Sequence, residues 1–236
     1  MVKAVALVPA AGAGRRMGSE TRKQYLMLGG RPLIVHCLQV FQEHPLVTSV
    51  VLVVAPGEED RTRGLVTEWQ LTKIDAIVPG GGERQESVRL GLKALPPDAD
   101  FVLIHDAARP FIDGEMITAS LAAALRSGAA VVAVPVKDTI KLVRQGCQVE
   151  TTLDRNTLWA AQTPQAFACD LIRKAHQQAV TDGFMGTDDA SLVERLGYPV
   201  ELVPGNDMNF KVTTPTDLAL ARCLLQEITA PDGRII

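Results

Sequence analysis

The sequence predicts an α/β fold: a doubly wound, mostly parallel sheet with helices on both faces and one projecting β-arm. Three observations carry this. Short, continuous apolar runs recur along the chain. Helical periodicity fills the gaps between them. One β-rich segment, 138–158, fits neither pattern.

The apolar runs are "AVALV" (4–8), "VVLVV" (50–54), "FVLI" (101–104) and "VVAV" (131–134). None alternates with polar residues, which is how strands covered on both faces read. Between them, Val88, Leu92 and Leu95 share one helical face from Arg84 onward. Ile172, Ala175 and Ala179 share another, as do Leu218, Ala221 and Leu225. Strands alternating with helices give a doubly wound sheet. Ligands in such sheets bind beyond the carboxyl ends of the strands, so the residues after each apolar run are the ones to inspect.

The segment 138–158, "DTIKLVRQGCQVETTLDRNTL", has β-branched runs around Gln145-Gly146 and no helical period. It reads as a hairpin projecting from the α/β body. A lone two-stranded hairpin is marginal in water, so the arm is expected to rest on something. The rest forms one domain, 1–236, and the tail 229–236 is expected to be poorly ordered.

The chain is 47% hydrophobic and 22% charged, with a net charge of -3. Such a chain buries a sizeable core, and it lacks the basic excess of a general nucleic-acid binder. Cys37, Cys147, Cys169 and Cys223 form no C-x-x-C pair and have no histidine cluster beside them. That argues against zinc or a disulfide framework and suits a reducing cytoplasm. No signal peptide is visible, and no apolar run approaches the roughly 20 residues a membrane span needs.

Five loops carry candidate chemistry. "PAAGAGRRMG" (9–18) follows the first strand and sets small residues beside Arg15 and Arg16, with Lys23 shortly after. Its clustered N–H groups could cradle phosphate, or it could be a tight turn with two solvated arginines. It is not a Walker A loop, and Met17 stands where a dinucleotide fingerprint has its third glycine. "GGGERQESV" (80–88) opens a helix; its backbone could exchange hydrogen bonds with a nucleobase edge, or it could be a flexible turn. "HDAARPF" (105–111) places Asp106 just past a strand end, with His105 as a core histidine. "QTPQAF" (162–167) and "GTDDAS" (186–191) read equally well as turn or cap chemistry, and Lys211 as an edge-strand guard.

Taken together, "PAAGAGRRMG", "KQY", "GGGERQESV", "HDAARP", "DRN", "TPQ", "TDDAS" and "KVTTPTDL" resemble the 2-C-methyl-D-erythritol 4-phosphate cytidylyltransferase family, in order, from about Ala4 to Leu225. The resemblance implies a Rossmann-like nucleotidyltransferase fold and a homodimer joined through the β-arm. Its substrates would be CTP and a polyol phosphate, with Mg²⁺ held mainly through the CTP phosphates and no protein ligand of the metal assigned. It implies that Ala10, Ala11, Gly12, Ala13 and Gly14 form the phosphate loop, with Arg16 and Lys23 as the catalytic cations. Gly80, Gly81, Ser87 and Ala107 would meet the nucleotide. Asp106, Arg109, Thr139, Arg155, Thr163, Thr187 and Lys211 would meet the second substrate. Two positions depart from the family pattern: Gly82 and Met208 each stand where an Asp is common, with Asp207 adjacent to the second.

Such a reaction explains the opening loop. Attack on the α-phosphorus and departure of pyrophosphate both build negative charge, so the site needs positioning and fixed positive charge more than covalent chemistry. The attacking phosphate is already an anion, and no general base is required. The nearest alternative is a ribitol 5-phosphate cytidylyltransferase, separated by the residues around Arg155, Thr163 and Thr187. An NADP-dependent oxidoreductase or a non-catalytic CTP-binding module are more distant alternatives.

Overall fold

The structure, a computed structural model, describes residues 2–12 and 22–228. Ala13, Gly14, Arg16 and the tail 229–236 therefore lie outside the described residues.

Chain order is β1 (Ala4–Ala10), a 3-10 turn (Lys23–Tyr25), β2 (Met27–Leu28), β3 (Arg31–Pro32), α1 (Leu33–Glu43), β4 (Val47–Val54), α2 (Glu59–Glu68), β5 (Ile74–Pro79), α3 (Arg84–Lys93) and β6 (Phe101–Ile104). Then follow α4 (Gly114–Ser127), β7 (Ala129–Pro135), β8 (Lys141–Leu142), β9 (Thr151–Thr152), a second 3-10 turn (Arg155–Thr157), β10 (Trp159–Ala168), α5 (Cys169–Thr181), α6 (Asp189–Arg195), β11 (Glu201–Pro204) and α7 (Pro215–Ile228).

Seven strands form the central sheet in the order β11-β7-β10-β6-β1-β4-β5. Only β10 runs against its neighbours. Both faces of β1 are covered, as its unbroken apolar run requires: Ala4, Ala6 and Val8 pack with α1 and α4, and Val5 and Leu7 with α3 and α5. The chain winds outward from β1 to β5, then returns to lay β6 on the other side of β1. The carboxyl ends of β1 and β6 thus flank the point where strand order reverses, and a crevice opens there.

Three features differ from the sequence expectation. The "QTPQAF" stretch is the core of β10 rather than a turn; its buried Gln162, Thr163 and Gln165 break the apolar run that would have signalled a strand. The arm is paired only at Lys141–Leu142 with Thr151–Thr152, and Gly146 takes a φ of 60° in its turn. The arm is also rooted in the main sheet: β10 begins at Trp159, paired with Pro135, and Trp159–Ala161 stay exposed.

Candidate active site at the carboxyl ends of β1 and β6

A cavity of ≈ 240 Å³ sits at this crevice, lined by Pro9 to Gly12, Lys23, Gln24, Gly81 to Arg84, Ser87, Asp106 to Ala108 and Lys211. Lys23 is delivered by its neighbours. The buried Gln24 amide donates to the Ala10 carbonyl at 2.6 Å, and Arg22 to the Ala11 carbonyl at 3.4 Å. The returning segment is thereby fastened to the end of β1.

The second glycine loop forms one wall. Gly80 packs behind it, where an added Cβ would lie 2.5 Å from the Ala11 methyl and 2.8 Å from Ser87 Oγ, so no side chain fits there. Its three N–H groups are engaged within the protein. Gly80 donates to Val54 O (2.7 Å), Gly81 to Ser87 Oγ (3.1 Å) and Gly82 to Glu86 Oε2 (2.9 Å). The expected donation from Gly80 and Gly81 to a base edge is therefore closed in this arrangement. Their carbonyls are the groups left to read a base.

Asp106 is the electrostatic centre. Its Oδ1 accepts from Arg84 Nε at 3.0 Å, and its Oδ2 meets Lys211 Nζ at 2.6 Å. Burial alone would raise its pKa, but Arg84 and Lys211 outweigh that and hold the carboxyl well below its ordinary range. With both oxygens held by cations and the charge stabilised, Asp106 is an organiser of positive side chains rather than a proton carrier. Lys211 is thus a wall of the cavity, not a guard on a strand edge.

Behind Asp106 stands a neutral brace. The Arg109 carbonyl can only accept, so His105 Nε2 carries the proton and donates to it at 3.0 Å. His105 Nδ1 is then the acceptor, taking the Thr163 hydroxyl at 3.0 Å, while that oxygen accepts the Asp106 N–H at 3.1 Å. Burial pushes His105 down to about 4, which keeps this tautomer neutral. Thr163, expected as a substrate contact, is 4% exposed and its hydroxyl is committed to this brace.

The remaining expected positions are not gathered at the cavity. Arg109 donates to Asn209 O at 2.6 Å, and its buried Nε has no partner among the described residues. Thr187 is exposed, immediately before Asp188, which caps α6. Thr139 and Arg155 are exposed at the arm's base, with Arg155 donating to Lys137 O at 2.9 Å. Asp207, next to Met208, pairs with Lys137 at the surface and is not among the residues lining the cavity.

Sequence reasoning missed Arg84, Asp189 and His176. Arg84 also donates from Nη1 to Asp189 Oδ2 at 2.7 Å, and Asp189 Oδ1 meets His176 Nε2 at 3.1 Å. Only the second Asp of "TDDAS" hinted at this, and it reads equally well as a helix cap.

The profile described as "IspD: 2-C-methyl-D-erythritol 4-phosphate cytidylyltransferase" matches residues 4–227. A protein of that name from Pelotomaculum thermopropionicum is 50% identical over 236 residues, covering 100% of this chain and 98% of the relative. Among solved structures, the Thermus thermophilus cytidylyltransferase is 38% identical with a TM-score of 0.78, over 94% of this chain and 98% of that one. A 4-diphosphocytidyl-2C-methyl-D-erythritol synthase from Anaerococcus prevotii is 29% identical with a TM-score of 0.84, over 95% of this chain and 99% of that one.

Proposed function

The chain belongs to the 2-C-methyl-D-erythritol 4-phosphate cytidylyltransferase family, and from that premise we propose how its strand-end cavity carries out the transfer. It is a nucleotidyltransferase that joins CTP to 2-C-methyl-D-erythritol 4-phosphate. A substrate phosphate oxygen bonds to the α-phosphorus, the bridging bond to the β-phosphate breaks, and the electron pair leaves on pyrophosphate.

The single observation that carries the site reading is the convergence of Lys23, Arg84, Lys211 and Asp106 on one cavity beneath a glycine loop. Ala10, Ala11 and Gly12, continued by Ala13, Gly14 and Arg16, take the triphosphate. Lys23 and Arg16 stabilise charge at the α-phosphate. The carbonyls of Gly80 and Gly81 accept from the exocyclic amine of cytosine, with Ser87 and Ala107 beside the nucleoside. Asp106 and Lys211 orient the polyol phosphate, helped by Arg109 and Thr187, with Thr163 bracing from behind.

Magnesium is proposed as a substrate-borne ion, because both oxygens of Asp106 in the cavity already face cations. An ion held through the CTP phosphates and water would neutralise charge on the triphosphate.

The working unit we propose is a homodimer clasped through the arms, in the cytoplasm. Support comes from the arm's apolar side chains, with Val143, Val149 and Trp159 42%, 56% and 41% exposed. In a two-fold dimer Thr139 and Arg155 would reach the partner's cavity. The test is pyrophosphate release with CTP against a panel of polyol phosphates. Strong preference for 2-C-methyl-D-erythritol 4-phosphate is expected; equal turnover of ribitol 5-phosphate overturns the assignment.

A further inference from the structure

A chain of polar and charged groups runs from the protein interior to the cavity. His176 and Asp189 are each 1% exposed; His176 meets one oxygen of Asp189, whose other oxygen meets Arg84 at the edge of the pocket. Arg84 links Asp189 to Asp106 through two different nitrogens, and Asp106 passes its second oxygen to Lys211. Five segments contribute: α5, the start of α6, the first turn of α3, the loop after β6 and the stretch between β11 and α7 that carries Lys211.

We infer that Arg84, locked by Asp189 and His176, is a positioning residue that sets where the Asp106 carboxylate and the Lys211 ammonium stand toward the polyol phosphate. This rests on the function proposed above. The residue type is decisive. One planar guanidinium reaches two carboxylates on separate elements, which a lysine's single ammonium cannot do in the same fixed geometry. Arg84 holds both carboxylates at once through different nitrogens, so Asp189 fixes where the guanidinium stands toward Asp106. Asp106 in turn divides its two oxygens between Arg84 and Lys211.

A stability role alone accounts poorly for the arrangement. Buried ion networks are often no more stabilising than apolar side chains of the same volume. This one also does not end in the core: Arg84 and Lys211 keep 30% and 35% of their side chains exposed, and both line the cavity. An interior network with its open end on the site is what fixed orientation of reacting groups requires.

The test uses Asp189→Asn, which keeps the shape. Turned so that its oxygen faces Arg84, the amide still offers its NH₂ to the other His176 tautomer. Arg84→Lys is the companion variant. For Asp189→Asn, KM for the polyol phosphate should rise roughly tenfold while KM for CTP stays within about twofold. Arg84→Lys should show the same split, because it keeps the charge and loses the bridge. Unchanged KM values, or both rising together, overturn the inference, since a general loss of structure cannot favour one substrate. Turnover by the wild-type protein in the same assay tests the proposed function by itself. A crystal structure of Asp189→Asn reads the positioning without turnover: displaced Asp106 and Lys211 side chains are expected, and an unmoved pair overturns it.

Discussion

The cavity at the ends of β1 and β6 and the arm at 138–158 are built on opposite terms. At the cavity, the polar side chains behind the wall are braced within this chain: Gln24 to Ala10, Thr163 to His105, Arg84 to two aspartates. On the arm, Thr139 and Arg155 are exposed, and the ladder is two residues long on each strand. Chemistry that needs fixed charge sits where folding has already taken up the ordering cost. A part that becomes ordered against a second copy can remain loosely tied in one chain.

The largest expected effect lies on the cavity side. Arg16→Met or Lys23→Met should lower kcat by ~10²-fold or more, about 3 kcal/mol of lost transition-state stabilisation. Stopped-flow or steady-state pyrophosphate release measures it. Near-normal turnover in either variant removes that cation from the catalytic assignment.

The brace also titrates, together with two histidines elsewhere in the core. Burial brings His105 in the brace down to about 4, and it lowers His36 on α1 and His44 just after it. The unfolded chain therefore binds protons between about pH 6.5 and 4 that the folded chain refuses, so stability falls as pH drops through that window. Loss of about 2–3 kcal/mol from His105 alone is expected between pH 7 and 4.5. Urea unfolding at several pH values reads it. His105→Gln should flatten the slope, and an unaltered slope would show that the brace titrates elsewhere.

Legibility in the sequence follows the same division. The strands β1, β4, β6 and β7 were readable because sheet burial on both faces leaves unbroken apolar runs. β10 was not, because its polar residues are buried against partners remote in sequence: Gln165 meets Asp188 and Ala190, and Asn209 meets Gln162. Family resemblance pointed to Asp106 and Lys211. No local pattern could reveal that Arg84 bridges Asp106 to Asp189, since that network closes across 105 residues of chain. Thr163 too was named by the family resemblance alone; that its hydroxyl lies between His105 and the Asp106 N–H is visible only in the fold. The hairpin was visible from its β-branched runs, but its short ladder was not.

On the arm side, Arg155→Ala should raise KM for the polyol phosphate roughly thirtyfold, about 2 kcal/mol for a lost charge-assisted contact. Whether it acts across the interface is decided by mixing. Assayed at polyol phosphate well below the wild-type KM, where each variant alone is only weakly active, Arg16→Met and Arg155→Ala chains, once exchanged, form heterodimers with one intact pocket if Arg155 acts in trans. Activity should then return toward half of wild type per heterodimer. Confirmed exchange with no recovery would confine Arg155 to its own subunit, and the contrast between the two regions would lose its explanation.

The smallest effect concerns the glycine loop, where this chain departs from its family pattern. Gly82 has no side chain to stiffen the loop, yet its N–H is held by Glu86 Oε2 at 2.9 Å, one helical turn along α3. The same carboxylate lies against Gly81, where an added Cβ would collide with it. Glu86 thus does from the helix what an acidic residue at position 82 could do from the loop. It is 47% exposed, so its contribution is modest, about 1 kcal/mol for one hydrogen bond. Glu86→Ala should raise KM for CTP roughly fivefold and leave KM for the polyol phosphate unchanged. Glu86→Gln keeps an acceptor at the same reach and should stay near wild type. If Glu86→Ala leaves KM for CTP where it was, the loop is held by Ser87 and Val54 alone. The wall of the cavity would then be more fully fixed by its core contacts than the comparison with the arm requires.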